Sequence, residues 1–174
     1  MIPVRQQQVN LQGYKAATFN VATLYQPGDL GQTFDSSDGS TYTVVQIESG
    51  ATAPAAGQLM YWKDKVAKTV TNVVANARLG ATTNAWRNEV AGVCMLAATA
   101  GNYICLLVKG TGISVACVAT PGVGDIAIAD SVTNPGNVAP ITVGTAPTYI
   151  PVGVFTTVSS SNKASVDVNV PTLS

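Results

Sequence analysis

Histidine is absent from this 174-residue chain, and charged residues make up only 10% of it. Without histidine there can be no Ser-His-Asp triad, no Cys-His dyad, no imidazole general base and no histidine-containing metal site. The 9 basic and 9 acidic residues leave no net charge. A neutral chain lacks the basic excess that drives binding to nucleic acid or to an anionic membrane. The composition therefore excludes several classes of enzyme, and we expect neither nucleic acid nor membrane as a partner.

The scarcity of charge also has a consequence for the surface. Hydrophobic residues make up 47% of the chain, so the surface must be built largely from threonine, serine, asparagine, glutamine and alanine. Such a surface is poorly protected against association. We therefore expect other subunits to cover much of it, in a closed homotrimer.

Cysteine is scarce as well, and the first residues contain no apolar run long enough for a signal peptide. Cys94, Cys105 and Cys117 lie within apolar stretches, and an odd number favours reduced thiols that pack as small core residues. The uncharged run from Val90 to Val108 is divided by Ala100-Gly101-Asn102. This division predicts two strands joined by a turn instead of a membrane-spanning helix. Together these features predict synthesis in a reducing cytoplasm.

The first 30 residues differ from the rest of the chain. They are rich in glutamine and asparagine and show little sustained periodicity. Such a composition does not support independent burial, so residues 1–30 are predicted to form an extended N-terminal arm that lies on a neighbouring subunit. An ordinary edge strand followed by a loop is the alternative. Residues 31–174 are predicted to form a single β domain.

From Gly31 onward the sequence is typical of an all-β protein. Short segments rich in β-branched and aromatic residues alternate with turn signals at intervals of roughly 8–12 residues. This pattern predicts a sandwich or a small barrel of short antiparallel strands. The spacing of apolar residues also allows a short helix between Val73 and Arg78. The predicted strands are residues 41–47, 58–62, 89–97, 103–109, 113–120, 125–129, 139–143, 152–157 and 165–170.

An internal duplication runs through the β domain, with copies at about residues 55–110 and 121–172. In both copies a first strand is followed by a long connection, a glycine-centred strand, a turn and a last strand. The matching segments are GQLMY at 57–61 with GDIAI at 124–128, and VAGV at 90–93 with PVGV at 151–154. Two copies are too few for a solenoid. They predict duplicated halves whose strands interleave in one barrel.

Two tryptophans stand beside charged residues and are candidates for interface anchors. Trp62 precedes Lys63-Asp64-Lys65, and Trp86 precedes Arg87. Tryptophan and arginine are over-represented at interaction hot spots. Residues 81–84 read as an exposed loop that presents Trp86 and Arg87, whereas core packing is the alternative for either tryptophan. The candidate interface residues are Trp86, Arg87, Trp62, Tyr14 and Tyr25.

The sequence contains no pattern typical of a catalytic, cofactor-binding or metal site. The acidic segment 35–40 has oxygen ligands but lacks the closing glutamate of a calcium loop, so a turn that enters the next strand explains it better. No P-loop, GxGxxG or GxSxG motif is present. No pair of carboxylates stands out for hydrolysis. We therefore expect no catalytic residue, no cofactor, no bound metal and no enzymatic activity.

Several segments of the chain resemble the capsid decoration (cement) proteins of tailed bacteriophages. The segments are Gly31–Phe34, Asp38–Tyr42, Val44–Ile47, Ala55–Trp62, Asn88–Val93 and Ala97–Val108. The resemblance covers residues 31–110, and the remainder only through the repeat. It implies a β-rich virion protein that is made in the host cytoplasm and binds the major capsid protein on the outer face of an icosahedral shell. It further implies a trimer that stabilises the capsid and has no enzymatic role.

A second class of function is compatible with a β-rich surface protein. The chain could be a carbohydrate-binding or adhesin-like module on the virion surface. That function requires a cluster of exposed aromatic side chains, but the tyrosines are scattered along the sequence. A capsid decoration protein is the function that the sequence favours.

Overall fold

The computed structural model describes Tyr25 and residues 27–80, 84–130, 134–142, 144–158 and 162–171. This part of the chain is nearly all β, as predicted, with ten strands joined in one sheet. The strands are β1 (Thr33–Asp35), β2 (Thr41–Ile47), β3 (Leu59–Asp64), β4 (Thr69–Thr71), β5 (Val90–Cys94), β6 (Tyr103–Ala116), β7 (Ile126–Ala129), β8 (Val138–Ile141), β9 (Gly153–Phe155) and β10 (Lys163–Asn169).

The helical elements in the described ranges are short 3-10 helices at Pro27–Asp29, Val74–Asn76 and Ala85–Asn88. The second of them lies where the sequence allowed a short helix. Across the same ranges, no helix has the length and apolar character needed to cross a membrane. The predicted arm, apart from Tyr25 and the residues from 27 onward, lies outside the described residues, so its contacts stay a prediction.

Five strands close on themselves to form a first ring. Strand β2 pairs in parallel with β4 and antiparallel with β6, and β4–β3–β5–β6 complete the circuit through antiparallel pairs. Closure leaves these strands without a free edge. Alternate side chains from all five strands, among them Ile47, Met60 and Leu106, pack into one buried cluster. The small barrel predicted from strand length is therefore present in this half.

A second ring grows from the same long strand. Beyond Lys109, β6 pairs with β10, and β10–β9–β7–β8 continue in antiparallel order. An isolated parallel bridge between Cys117, just after β6, and Val138 of β8 returns the circuit to its start. The second ring thus repeats the arrangement of the first. Each ring is built from two antiparallel hairpins and one further strand, and each is closed by one parallel contact.

The sequence repeat corresponds to this structural duplication at the level of single hydrogen bonds. The amide of Gly57 donates to Cys94 O at 2.7 Å, and the amide of Gly124 donates to Phe155 O at 2.8 Å. The return bonds also match, from Cys94 N to Gln58 O at 2.8 Å and from Phe155 N to Asp125 O at 2.9 Å. Strands β3–β5–β6 and β7–β9–β10 are therefore equivalent units.

The two copies differ from the sequence expectation in their arrangement. They were expected to interleave in one barrel, but the structure places them in two rings that share only β6. The reason is the length of β6, which extends over 14 residues and takes part in both rings. Sequence reasoning divided this region into strands 103–109 and 113–120 because Gly110 and Gly112 resemble turn residues. Pairing with β10 on both sides of the junction keeps the segment in one strand, with a β-bulge between Gly110 and Ile113 where Gly112 has a positive φ.

A larger core holds the two rings together. It collects the opposite face of the first ring, including Tyr42, Tyr61 and Leu107, and side chains of the second ring such as Phe155 and Val166. Because this apolar cluster spans both rings, the outer face of the first ring and the side chains of the second ring are buried against each other. The two rings are therefore fixed to each other by hydrophobic packing.

The three cysteines are free and buried, as the sequence predicted. A Cys94–Cys105 bridge across the β5–β6 hairpin is not formed, because the cross-strand partner of Cys94 is Leu106. The two thiols also pack in different cores, Cys94 inside the first ring and Cys105 in the larger cluster. Burial raises the pKa of Cys105 to about 12. These residues are core components and not reactive thiols.

Candidate interaction groove

The hairpin between β3 and β4 presents an exposed apolar side chain in a fixed turn. Asp64 Oδ1 accepts hydrogen bonds from the backbone amides of Val66 and Ala67 at 2.8 and 2.9 Å. An aspartate that caps two amides in this way holds the turn without help from the core. Val66 at its tip is 93% exposed, the highest value among the exposed large hydrophobic residues described.

Trp62 lies at the base of this hairpin. Trp62 is buried, with 8% of its surface exposed, and its side chain belongs to the core of the first ring. Lys68, on the other side of the turn, places its Nζ atom 5.9 Å from the centre of the Trp62 ring. This separation allows a cation–π interaction. Trp62 therefore links the barrel core to a basic surface.

Arg87 forms the wall on the opposite side. Its Nε atom donates to Ala129 O at 2.7 Å, and its guanidinium carbon lies 3.9 Å from the centre of the Tyr149 ring. The neighbouring Asn88 accepts a 2.7 Å hydrogen bond from the amide of Ile150 through Oδ1. These contacts fasten a loop of the second ring to the 3-10 helix of the first. The position of Arg87 is set by both rings.

Between these walls runs a groove made of three adjoining depressions. Their volumes are about 50, 70 and 420 Å³, and all three share Pro171 in their lining. Trp62 and Lys65 line the first two, and Val108 lines the last two. Its lining combines apolar residues with polar ones: Val90, Ala91, Val108, Val170 and Pro171 on the apolar side, and Thr33, Thr41, Thr43 and Asn169 on the polar side.

The groove is basic although the chain is neutral. Lys65, Lys68, Arg87 and Lys109 contribute to its lining, and among the described residues no carboxylate does. Lys65 pairs with Glu89 at 2.7 Å. Within the described residues, no carboxylate forms an ion pair with the other three. Lys109 lies at the residue where β6 passes from one ring to the other, paired with both Thr41 and Asn169.

Two buried glutamates stabilise the barrel beneath this basic surface. Glu89 accepts hydrogen bonds from Arg78 Nη2 at 2.7 Å and from Lys65 at 2.7 Å. Burial would raise the pKa of Glu89, but the hydrogen bonds from Arg78 and Lys65 hold it below its usual range. Glu48 is bound in the same way by Lys63 and by Asn76 Nδ2. Both carboxylates are occupied by structural partners, which does not suit a general acid or base.

The acidic segment 35–40 is a hairpin turn, as predicted. Asp38 Oδ1 accepts from the amide of Ser40 at 2.9 Å, and Thr41 Oγ1 donates to Asp35 Oδ1 at 2.6 Å. The hydrogen bond from Ser36 is the largest contribution that lowers the pKa of Asp38. No group of three or more cysteine, aspartate or glutamate side chains in the described ranges is arranged to hold a metal ion.

Of the interface residues predicted from the sequence, some line the groove and others are buried in the core. Trp62 and Arg87 line the groove, whereas Trp86 is 0% exposed and Tyr25 is 5% exposed. The expectation that a loop presents the Trp86 side chain at the surface is therefore wrong. The indole packs in the hydrophobic core that joins the two rings of strands. Tyr14 lies outside the described residues. Contact of any of these five residues with a partner stays a prediction.

The sequence did not predict that Lys68, Lys109 and Pro171 belong to one surface. They lie on different elements, separated by 41 and 62 residues. No local motif marks them, since each is unremarkable in its own segment. Only closure of both rings brings them to the same groove.

Comparisons with known proteins give a limited set of similarities. No family model matches the chain, and no curated protein matches it. Among solved structures, the chain is similar to the N base of the head fiber gp8.5 of bacteriophage phi29, with a TM-score of 0.46 and 11% sequence identity. The match covers 78% of this chain and 98% of that one.

Proposed function

We propose that this protein is a capsid decoration protein of a tailed bacteriophage. It binds the major capsid protein on the outer surface of an icosahedral shell, assembles as a homotrimer and stabilises the particle. Its role is structural, without catalysis or a cofactor. The N-terminal arm, residues 1–30, contacts a neighbouring subunit.

The observation that carries this proposal is the extent of the sequence resemblance. Residues 31–110 resemble decoration proteins, and they contain every strand of the first ring, from β2 to the part of β6 that pairs with β2 and β5. The similar segments therefore belong to one closed structural unit and are not scattered over unrelated loops. A motif set that spans a whole folding unit is a stronger basis for similarity than isolated short matches.

The chemistry of the described surface supports binding over catalysis. The buried glutamates are held in ion pairs and the thiols are enclosed. The accessible features are an apolar floor, basic side chains and Val66. These are components of a protein interface.

The carbohydrate-binding alternative finds less support. Such a module needs exposed aromatic rings, but Tyr25, Tyr42 and Tyr61 are buried and Trp62 is largely buried. Tyr149 is partly exposed, and its ring is covered on one face by Arg87. The described aromatic residues therefore offer no broad stacking platform.

Decoration would stabilise a capsid by mass action. A molecule that binds only the assembled shell stabilises that state by RT ln(1 + [L]/Kd) for each site. A trimer that contacts several capsid subunits at once gains further from multivalency, so modest contacts suffice for durable attachment.

The test compares phage particles with and without the protein. We expect decorated particles to survive heating and osmotic shock that disrupt undecorated ones, and the protein to pellet with expanded shells. Sedimentation of the free protein should give a trimer. Equal particle stability with and without full decoration contradicts the stabilising role, and failure to pellet with shells contradicts the decoration function itself.

A further inference from the structure

We propose that the basic groove between the two rings binds an extended acidic segment of the major capsid protein that alternates carboxylates with apolar side chains. This inference rests on the proposed decoration function and adds the binding surface and the chemistry of the bound segment. It follows from charge complementarity between the groove, where Lys68, Arg87 and Lys109 have no carboxylate partner among the described residues, and a segment that supplies carboxylates.

The first step is the local charge. Lys65, Lys68, Arg87 and Lys109 lie along the groove, and none of the lining residues in the described ranges is acidic. The chain as a whole is neutral, so this surface departs from the average of the molecule. Complementary potentials at an interface select partners and orient them. A segment with carboxylates is therefore favoured, and a basic one is repelled.

The second step is the floor. Val90, Val108, Val170 and Pro171 form an apolar bed below the basic side chains. Purely ionic ligands would leave this bed in water, whereas an apolar side chain between two carboxylates would cover it. Successive side chains of an extended segment point to opposite faces, so alternation suits a floor of one character and walls of another.

The third step concerns competing occupants from the same chain. The 24 residues before Tyr25 contain two basic residues, Arg5 and Lys15, and no acidic residue. Their charge does not complement the groove. A second copy of the folded domain would have to present a free acidic segment. Glu48 and Glu89 are buried. The exposed carboxylates of Asp35, Asp38, Asp64 and Asp167 each accept a hydrogen bond within their own copy.

The fourth step is the rigidity of the site. Arg87 is held by Ala129 and Tyr149, and the hairpin that carries Lys65 and Lys68 is capped by Asp64. A preorganised site loses less conformational entropy when it binds a flexible segment. Val66, at the tip of the same hairpin as Lys65 and Lys68, is exposed and offers a further apolar contact.

The variants are chosen so that the fold survives. Lys65 must stay, because its loss would leave the buried Glu89 without one of its partners. Lys68 and Lys109 have no carboxylate partner among the described residues. The test variant is Lys68→Glu combined with Lys109→Glu. Lys163→Glu is the matched control, since Lys163 is exposed at the far end of β10 and does not line the groove.

The first measurement uses a fluorescent synthetic peptide of alternating glutamate and valine, and the same length of alternating lysine and valine as the comparison. Fluorescence anisotropy with the full chain should show that the acidic peptide binds and that the basic peptide does not. The double variant should weaken that binding about tenfold, and Lys163→Glu should leave it unchanged. Val66→Ser should weaken it about threefold through lost apolar contact.

The second measurement uses expanded shells. The double variant should pellet with them more weakly than wild type, and the acidic peptide should compete with wild type for the shell. If wild type binds shells while the double variant binds equally well, the groove inference is wrong and the decoration function stands. If the acidic peptide binds but the wild-type protein does not pellet with shells, the decoration function is wrong and the acidic specificity of the groove stands.

Two further outcomes would overturn the proposal. Equal binding of the acidic and basic peptides would show that charge does not select the ligand. Peptide binding that weakens as the protein concentration rises would show that a second copy of the chain occupies the groove. Circular dichroism of each variant confirms that a loss of binding does not reflect unfolding.

Discussion

The ring of Tyr61 meets the ring of Trp86 edge to face, with centroids 4.9 Å apart and planes at 87°. Tyr61 lies on β3 of the first ring, and its hydroxyl accepts a hydrogen bond from the amide of Gly136 in the second half at 3.1 Å. Edge-to-face aromatic pairs contribute beyond the area that they bury. The pair therefore connects the two halves through packing and through one polar contact.

Trp86→Ala should destabilise the fold instead of weakening an exposed contact. Because Trp86 is 0% exposed, truncation leaves a large cavity and should lower the unfolding free energy by about 3–5 kcal/mol. Urea denaturation measures the change, and Trp86→Phe, which keeps an aromatic ring, should cost less. An unchanged urea midpoint together with lost shell binding would show that this ring contacts a partner after all.

Glu89 should make the unfolding free energy depend on pH in the acid range. Its pKa is lowered in the fold from an ordinary value of 4.5, so its contribution is fully present above that value and is lost as the pH falls through the folded pKa. The unfolding free energy should be constant at neutral pH and decline below about pH 4.5. At neutral pH, Glu89→Gln should lower it by about 1–3 kcal/mol, because Arg78 and Lys65 lose their charged partner.

The comparison that tests this prediction is made at two pH values. The difference between wild type and Glu89→Gln should shrink at acid pH, where the wild-type carboxyl is itself protonated. Asp167→Asn is the control, because an amide oxygen can still accept the hydrogen bond from Gly112 N. A difference that stays the same at both pH values would show that the charge of Glu89 contributes nothing.

Gly153 should not tolerate a side chain. A Cβ atom there would lie 2.1 Å from Asp167 O on β10 and 2.8 Å from Val166 Cγ1. Since backbone cannot yield as a flexible side chain does, Gly153→Ala should separate β9 from β10 and cost about 1–3 kcal/mol or more. Thermal unfolding measures the loss. Gly50→Ala is the control, because its Cβ would meet its nearest atom at 3.4 Å; equal effects of the two substitutions would contradict the prediction.

Gly92 shows that the same requirement holds in the first copy of the repeat. Its Cβ would lie 2.8 Å from Leu107 O on β6. Both glycines stand at the centre of the matching segments 90–93 and 151–154, and both face the strand that ends their copy. This close approach explains why both copies of the repeat have glycine at this position, since a Cβ atom would clash with the neighbouring strand.

The sequence by itself determined most of the strands and turns, and the duplication. These depend on residues near one another in the chain: β-branched runs such as 41–47, the Asp38-Gly39 turn and the hairpin between β5 and β6. Local backbone preferences and alternation act over a few residues, so they can be read directly. The three-residue strands β1 and β4 were missed because neither lies within a longer alternating segment, whereas the equally short β9 lies within the predicted strand 152–157.

The tertiary structure alone decided how the strands close and what reaches the surface. The parallel contacts of β2 with β4 and of Cys117 with Val138 join segments far apart in sequence, and no local pattern encodes which partner is chosen. The burial of Trp86 and the meeting of Lys68 with Lys109 in one groove depend on the same closure. Long-range packing selects among many arrangements that satisfy the same local preferences, and the free energy of the shared core determines which one forms.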